Sequence, residues 1–478
     1  MLRTAMICAP VILLASACGA EAPTTDPVSE VQSELGPSQF YVPPPSSGVV
    51  KQVSNLVRAK RWADAARVTA LVKEPQAVWF SSGSPSDVKA AVQKTMNQAK
   101  CEHRVPILVA YNVPYRDCAQ YSSGGATDTA AYSAWIDGFA AGIGNGKAVV
   151  ILEPDGLGLI PYNTNIDGSA EWCKPTITDA QGNTVAAPGA SPAERYAQLN
   201  HAVDSLKSLA PNANTYLDGT HSAWLSVGES AYRLSAAGVA RAQGFFLNVS
   251  NYQFTPNLAQ YGTWISNCLA YATAVTPGDF GGCPSQYWNG GPLPSKIAQI
   301  NGEWNGTALD SSGQWSDTTD TVSLNTSGIN QRYANMLGAT QPTAHFVVDT
   351  GRNGNGPFKT APYAAAPYNQ PASVISGLQG GNWCNAFGAG AGLRPTTSTG
   401  QLVLDAYLWI KTPGQSDGSC DIAGGARAWD FTVYNPWNLA TDAQSHFDPL
   451  WGEVDPVAGV WFPDQALQLA QLANPALF

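Results

Sequence analysis

The sequence predicts an α/β fold with a parallel sheet, and two patterns along the chain support this prediction. Short apolar runs typical of buried strands alternate with helical stretches over most of the chain. Polar residues cluster directly after those runs, where the carboxyl ends of parallel strands would meet at one edge of a sheet. The predicted strands are residues 76–80, 105–113, 148–152, 214–218, 344–349 and 404–410.

Helical stretches fill the spaces between these strands. One follows residue 80 and carries its charged side chains on one face, and others span residues 127–143, 192–209 and 464–473. No internal repeat stands out, and no Ser/Thr/Pro-rich linker divides the middle of the chain. The sequence therefore predicts a single catalytic domain over residues 46–478, without an appended binding module.

The composition excludes several classes of partner. Charged residues make up 13% of the 478 residues, about half the usual share of roughly 25%. The 46 glycines and 34 prolines indicate a loop-rich globular protein. Because the formal net charge is -10, nucleic acid is a poor candidate partner, whereas a neutral polymer is compatible with this surface.

The first 18 residues have the features of an export signal. Arg3 precedes an apolar run, and small residues at positions 15–17 offer a cleavage site. Cys18 follows directly, so both free secretion and a bacterial lipoprotein anchor remain open, and we expect a membrane association only if Cys18 is lipidated. Residues 19 to about 45 are rich in Pro, Ser, Thr and Glu and predict a tether, with the ordered part beginning near Gln39.

Five strand ends carry polar side chains, which together favour an active site at the carboxyl edge of the sheet. A single aspartate after a strand is more often a helix cap, so the argument depends on the whole group. Its members are Asp117, Glu153 with Asp155, His221, Asp349 with Arg352, and the segment 411–417.

Four longer stretches carry a family resemblance. They are 111–118 (YNVPYRDC), 149–155 (VVILEPD), 411–418 (KTPGQSDG) and 461–463 (WFP). Together they resemble the family 6 glycoside hydrolases, the inverting cellulases. Smaller matches (LDGTH, NVSNY, DTGRNG and NWCN) lie between them in the order of that family, so the resemblance covers about residues 75–475. It implies a distorted (β/α) barrel of about seven parallel strands, with an active-site cleft or tunnel at their carboxyl ends.

The resemblance also implies catalytic roles. Asp155 matches the general acid that protonates the departing sugar, and Asp117 matches the aspartate that raises the pKa of this acid. Like charges held close together resist simultaneous ionisation, which is the physical basis of such a pair. Tyr111 and Ser123 match residues that distort the sugar and position water. Asp417 matches the proposed base, although a water chain can relay the proton instead; direct inversion requires roughly 6.5–9.5 Å between the two carboxyl groups.

Further positions match groups that bind the substrate. Arg352 and Lys411 match cations expected near Asp417. Gln415 stands where many family members have glutamate. An amide can bind sugar hydroxyls but cannot accept a proton, so we expect Asp417 rather than Gln415 to have the catalytic role. The remaining matches are aromatic platforms that stack on sugar rings and polar groups that bind hydroxyls, namely Trp79, Trp224 and Trp383, and His221, Asn251 and Lys411.

Seven cysteines lie beyond the signal, and their irregular spacing argues against a zinc site. Export to an oxidising space favours disulfides. The resemblance implies the pairs Cys118–Cys173 and Cys384–Cys420, which would brace the loops of Asp117 and Asp417. Cys268 and Cys283 are expected to pair locally, which leaves Cys101 over.

Loop lengths bear on how the enzyme attacks its substrate. Residues 156–190, 253–330 and 418–460 are expected to be long loops, and such loops are usually functional. If they roof the cleft into a tunnel, the enzyme is a cellobiohydrolase. If they only decorate the surface, it is an open-cleft endoglucanase.

The sequence does not show the features expected of three other classes of protein. A glucan-binding protein could dispense with the three aspartates, a serine hydrolase would need a GxSxG beside a strand, and a metal enzyme would need clustered ligands. We therefore expect no metal and no cofactor. The expected partners are cellulose and cello-oligosaccharides, and the protein is expected to be a monomer.

Overall fold

A seven-stranded parallel sheet forms the centre of the molecule in the computed structural model, which describes residues 35–36, 39–287 and 307–478. This confirms the predicted α/β class and strand number. A separate antiparallel hairpin is formed by β4 (Thr176–Thr178) and β5 (Thr184–Ala186). In spatial order the sheet contains β1 (Val78–Phe80), β2 (Ile107–Ala110), β3 (Ala148–Leu152), β6 (Ala213–Asp218), β7 (Gly244–Leu247), β8 (His345–Asp349) and β9 (Leu404–Leu408).

The sheet curls until its two edge strands approach each other. The backbone N–H of Ala77 donates to the Trp409 carbonyl at 3.0 Å, and the Trp79 indole N–H donates to the Ile410 carbonyl at 2.8 Å. No strand ladder joins β1 and β9 within the described residues. The result is a distorted barrel with one irregular seam.

Side chains that alternate along each strand build two core layers. In β2, Ile107 and Val109 point to the inner cluster, whereas Leu108 and Ala110 pack in the outer cluster under the helices. Successive side chains of a strand face opposite sides of the sheet, and all four are fully buried here. Burial on both faces explains why the strands are continuous apolar runs.

The helices begin where the sequence supplies caps. Ser84 accepts the backbone N–H of Asp87 in a capping box, with Pro85 at the first helical position, and Ser191 caps the helix that starts at Pro192. In the part of the chain that the structure describes, the α-helices are Ser47–Arg58, Trp62–Leu71, Pro85–Cys101, Thr129–Ile143, Pro192–Leu209, Val227–Ala236, Thr255–Ala270, Ser327–Leu337, Ala372–Gly380, Thr441–Gln444 and Pro463–Gln471.

Two sequence expectations need correction. The strand Gly244–Leu247 was not predicted, because it is only four residues long and begins with a glycine, which weakens the apolar pattern. In its described residues, the expected loop over residues 253–330 contains the helix Thr255–Ala270 and the start of the helix Ser327–Leu337. The helix Thr255–Ala270 is largely buried, although its sequence contains several polar residues. These polar side chains form hydrogen bonds inside the domain, as Asn257 Nδ2 does to the Gly313 carbonyl at 2.9 Å.

Residues ahead of position 46, where the predicted catalytic domain starts, already belong to the packed domain, so the predicted 19–45 tether extends too far along the chain. Phe40 and Tyr41 are buried, and the Tyr41 backbone N–H donates to the Val105 carbonyl at 3.0 Å. The predicted signal and Cys18 lie outside the described residues. Within the described ranges, the helices lack the length and apolar character that crossing a bilayer requires.

Candidate active site

A cleft of about 1200 Å³ lies at the carboxyl ends of the strands. Arg352, predicted as a supporting cation, does not line this cleft but contacts Asp417, which does. The cleft brings together all of the other catalytic and binding residues that the sequence singled out, namely Trp79, Tyr111, Asp117, Ser123, Asp155, His221, Trp224, Asn251, Trp383, Lys411, Gln415 and Asp417.

Asp155 follows β3 in a left-handed backbone conformation with φ of 62°. Its carboxyl lines the cleft, and no hydrogen bond to it is found among the described groups. Burial raises its pKa well above the ordinary value, and the negative charges of Asp218 and Asp117 raise it further. Asp155 therefore holds its proton at a pH where an ordinary aspartate is ionised.

Asp117 lies on a single helical turn, Arg116–Ala119, and also has a left-handed backbone, with φ of 53°. One carboxylate oxygen accepts the Ser122 backbone N–H at 2.7 Å. Burial raises the pKa of Asp117, and this bond and the Arg116 charge oppose the rise. Left-handed conformations at both Asp117 and Asp155 cost energy, and residues of this kind cluster at functional sites.

Asp417 lies in a different environment, because two cations and two neutral donors surround it. The Arg352 guanidinium donates to Asp417 Oδ2 at 2.9 Å, and Lys411 Nζ lies 3.5 Å from Oδ1. The Tyr252 hydroxyl and the Asn385 backbone N–H donate to Oδ2 at 2.8 and 2.9 Å. Burial alone would raise the pKa of Asp417, but the two cations outweigh it and the pKa is lowered.

Three other carboxylates at strand ends do not face the cleft but accept hydrogen bonds from backbone N–H groups. Glu153 accepts the N–H groups of Asn112 and Val113, at 2.7 and 3.0 Å. Asp218 and Asp349 behave in the same way, each binding N–H groups of its own loop and of the loop after the neighbouring strand. Each of the three thus ties two adjacent strand-end loops together. The inclusion of Glu153 and Asp349 among active-site groups is therefore wrong, since neither lines the cleft and each accepts backbone N–H groups.

The predicted aromatic platforms are partly exposed and held by specific packing. Trp79 packs edge-on against Tyr111 with ring centroids 5.5 Å apart, and Lys411 Nζ lies 5.7 Å above the Trp79 ring. Trp383 packs against Tyr121 at 5.7 Å. Apolar ring faces in a polar cleft are suited to sugar rings, whose axial C–H groups form apolar surfaces.

Trp224 lies against the backbone of Gly158. A Cβ at Gly158 would lie 2.5 Å from the ring edge of Trp224, so this contact needs glycine. The neighbouring His221 accepts the Ala223 backbone N–H through Nδ1 at 3.2 Å. Burial lowers the pKa of His221 to about 3, so this imidazole is neutral and can bind a hydroxyl.

Asn251, Ser123 and Gln415 contribute polar groups to the cleft without strong internal partners. Asn251 Nδ2 makes a 3.4 Å bond to the Val249 carbonyl, and Ser123 is exposed. Gln415 forms a backbone bridge with Trp461, which fixes the loop while leaving its amide at the cleft.

The three expected disulfides are present: Cys118–Cys173, Cys268–Cys283 and Cys384–Cys420. Cys101 is exposed and lies outside these three bonds. Two of the bonds adjoin Asp117 and Asp417, so they fix the backbone that carries these carboxylates.

Three residues important to the site were not singled out by the sequence argument. Tyr252 and Asn385 stood inside matched motifs but were assigned no role, and both bind Asp417. Trp172 lines the cleft from the loop after β3. Its signal was a tryptophan next to a bridged cysteine in a polar loop.

The arrangement suits acid-catalysed cleavage of a neutral polymer. It offers the Asp155 carboxyl with its raised pKa open to the cleft, the carboxyls of Asp117 and Asp417 in the same cleft, and ring faces on the walls. In the part of the chain that the structure describes, no three His, Cys, Asp or Glu side chains are grouped as metal ligands.

Comparison with known proteins identifies the family. The model of "Glycosyl hydrolases family 6" matches residues 36–473. This chain belongs to glycosyl hydrolases family 6. Endoglucanase 1 of Streptomyces halstedii is 30% identical over 90% of this chain and 95% of its own length. A probable 1,4-β-D-glucan cellobiohydrolase C of Aspergillus niger is 27% identical over 86% and 71%. Against Endoglucanase A of Thermobispora bispora, 29% identical, the chain spans only 64% of that protein.

Solved family 6 structures share the fold. The endoglucanase Cel6 of Mycobacterium tuberculosis, bound to a thio-linked cellobioside, is 26% identical with a TM-score of 0.53 and covers 91% of this chain and 97% of its own. Cellobiohydrolase II of Humicola insolens, in complex with glucose and cellotetraose, is 20% identical with a TM-score of 0.53 and covers 92% and 98%. The distorted barrel is therefore the family 6 barrel.

Proposed function

We propose that this family 6 protein is a cellulase that hydrolyses β-1,4-glucan with inversion, and that Asp155 is its general acid. The observation that carries the proposal is the Asp155 carboxyl, which lines the cleft and has a raised pKa. Protonating the leaving oxygen requires such a group near neutral pH. Solved relatives with bound cello-oligosaccharides support cellulose and cello-oligosaccharides as substrates.

The neighbours of Asp155 take supporting roles. The Asp117 carboxylate disfavours ionisation of Asp155. Tyr111 lies 7% exposed at the cleft floor, where its ring can press on the sugar and favour distortion. Ser123 stands exposed at the cleft wall and can hold a water.

We further propose that the nucleophilic water loses its proton to bulk solvent through a chain of waters rather than directly to Asp417. A base must give up its existing interactions to accept a proton, and Asp417 is bound by both Arg352 and Lys411. Its lowered pKa makes it a weak base. Asp417 then serves to place its two cations and to offset part of their charge, which would otherwise oppose the positive charge developing on the sugar ring.

We propose that the enzyme attacks chain ends and releases cellobiose. Each of the three segments expected to roof the cleft contributes to its wall: Leu159 and Trp172 from the first, Ser311 and Ser312 from the second, and 457–459 from the third. Residues 288–306 of the second segment lie outside the described residues. The alternative is an open-cleft endoglucanase, which the 29–30% identity to named endoglucanases favours.

Two measurements on the full chain test these proposals. NMR of cellohexaose hydrolysis should show α-cellobiose first, and initial β product would contradict inversion. On carboxymethylcellulose we expect slow loss of viscosity per reducing end formed. Rapid thinning with few new ends would instead establish the endoglucanase.

We also propose that residues 1–18 direct export, that the part of residues 19–45 ahead of the buried Phe40 forms a tether, and that the catalytic domain acts as a monomer outside the cell. Support comes from the sequence pattern at the start of the chain and the three disulfides. Whether Cys18 carries a lipid is tested by labelling with a fatty-acid analogue, with Cys18→Ser as the control.

A further inference from the structure

Trp172 is an exposed aromatic side chain at the cleft that no part of the catalytic account uses. Its side chain is 56% exposed and lines the cleft. Exposing a large indole costs free energy in water, because roughly 25 cal/mol is lost per Å² of apolar surface left unburied. Because Trp172 lines the cleft, a ligand bound there can cover its indole and recover this free energy.

The backbone on both sides of Trp172 is fixed. Glu171 is buried, its backbone N–H donates to the Asn163 carbonyl at 2.8 Å, and its carboxylate lies 3.7 Å from Arg233. Cys173 is fully buried in the bond to Cys118, and its carbonyl accepts the Tyr162 N–H at 2.9 Å. The loop thus projects one side chain from a rigid support, which lowers the entropy cost of binding.

The indole N–H of Trp172 has no protein acceptor within the described residues, and the same holds for the platforms Trp224 and Trp383. Other tryptophans do donate to protein groups, as Trp409 does to the Leu393 carbonyl at 2.8 Å and the third platform, Trp79, to the Ile410 carbonyl at 2.8 Å. In this respect Trp172 resembles two of the three cleft platforms, and its N–H is available to a ligand.

Contacts place Trp172 on the same wall as Trp224. Arg233 pairs with Glu171 and donates to the carbonyls of Leu157 and Gly158, at 2.6 and 3.0 Å. The Trp224 ring lies directly on Gly158. Trp224 is partly buried whereas Trp172 is mostly exposed, which places Trp172 nearer the mouth.

We propose that Trp172 is the stacking platform of an outer subsite, which binds a glucosyl unit of the β-1,4-glucan chain beyond the unit on Trp224. The inference rests on the proposed glucanase function and adds a chain-length preference to it. Long substrates reach Trp172 and gain its contact, whereas short ones bound at Asp155 do not. The subsite therefore selects polymer over short oligosaccharides.

The test measures binding by calorimetry in an Asp155→Asn background, which prevents hydrolysis, with cellotriose and cellohexaose. We expect Trp172→Ala to weaken cellohexaose binding about tenfold, equivalent to about 1.4 kcal/mol, and cellotriose binding by less than about twofold. Trp172→Phe keeps a ring and should retain most of the affinity. Trp62→Ala removes an equally exposed tryptophan that does not line the cleft and should change neither value.

The outcomes separate the two proposals. If Trp172→Ala binds cellohexaose as tightly as its parent, or if Trp172→Ala weakens the binding of cellohexaose and cellotriose equally, the outer subsite is refuted. If the Asp155→Asn parent binds no cello-oligosaccharide at all, the glucanase function itself is refuted. Circular dichroism and melting of each variant check that the fold is retained.

Discussion

Asp155 and Asp417 lie in the same cleft, yet their surroundings give them opposite protonation behaviour. Asp417 has two cations, a tyrosine hydroxyl and a backbone N–H as partners, whereas Asp155 has carboxylate neighbours and no hydrogen-bonding partner in the described residues. Burial is common to both. The difference shows that the partners, rather than depth, decide which carboxyl can act as an acid.

The largest effect is expected from removing the proton donor. Asp155→Asn should lower kcat on cellohexaose by about 10²–10⁴-fold, because an amide cannot protonate the leaving oxygen. Asp204→Asn, an exposed change on a surface ion pair, is the matched control and should retain full activity. A fully active Asp155→Asn enzyme would remove Asp155 from the chemistry.

Replacing Asp417 and replacing Asp155 should change thermal stability in opposite directions. Asp417→Asn leaves Arg352 and Lys411 buried without their counter-charge and should destabilise the fold by about 3–5 kcal/mol. Asp155→Asn should raise Tm at pH 8, because the raised pKa means that ionising Asp155 costs stability as pH rises. At pH 4 the Asp155 effect should vanish. Equal shifts of the same sign in both variants would break the contrast.

The pH profile sharpens the contrast further. If protonated Asp155 is the active form, kcat falls on the alkaline side as pH passes its raised pKa. Asp117→Asn removes a negative charge that raises this pKa, so the alkaline limb should move to lower pH. Measuring kcat against pH for both proteins checks this, and a limb that moves upward contradicts it.

The smallest effect concerns a carboxyl pair behind Asp417. The Asn385 side chain donates to Asp455 Oδ2 at 2.7 Å, and its backbone N–H donates to Asp417. Burial and the neighbouring Asp448 raise the pKa of Asp455. Asp455→Asn mimics the protonated form.

The sign follows from that raised pKa. Stability is complete at low pH and is lost as pH rises through the pKa of folded Asp455, so Asp455→Asn should have a higher Tm than the parent at pH 8 and the same Tm at pH 4. Differential scanning calorimetry at both values measures this. A lower Tm at pH 8 would show that ionised Asp455 is stabilising.

The sequence predicted most strands because each is buried on both faces and reads as an apolar run, as in Ala148–Leu152. It missed Gly244–Leu247, whose pairing with two neighbouring strands is a tertiary feature. Motif order placed Asp117, Asp155 and Asp417 together correctly in the cleft.

The sequence could not distinguish carboxyls that line the cleft from carboxyls that accept hydrogen bonds from backbone N–H groups. Glu153 and Asp155 are two residues apart, yet one binds N–H groups of the neighbouring loop and the other opens to the cleft. The difference depends on the left-handed backbone conformations of Glu153 and Asp155, with φ of 56° and 62°. No local sequence pattern predicts these conformations.

The most direct test of Asp155 as the acid uses aryl β-cellotriosides whose leaving groups differ in pKa. An enzyme that protonates its leaving group is insensitive to that pKa, whereas one without the acid depends on it steeply. We predict a flat dependence of kcat for the parent and a steep one for Asp155→Asn, with activity approaching that of the parent for the best leaving group. Equal slopes for the two proteins would contradict the account.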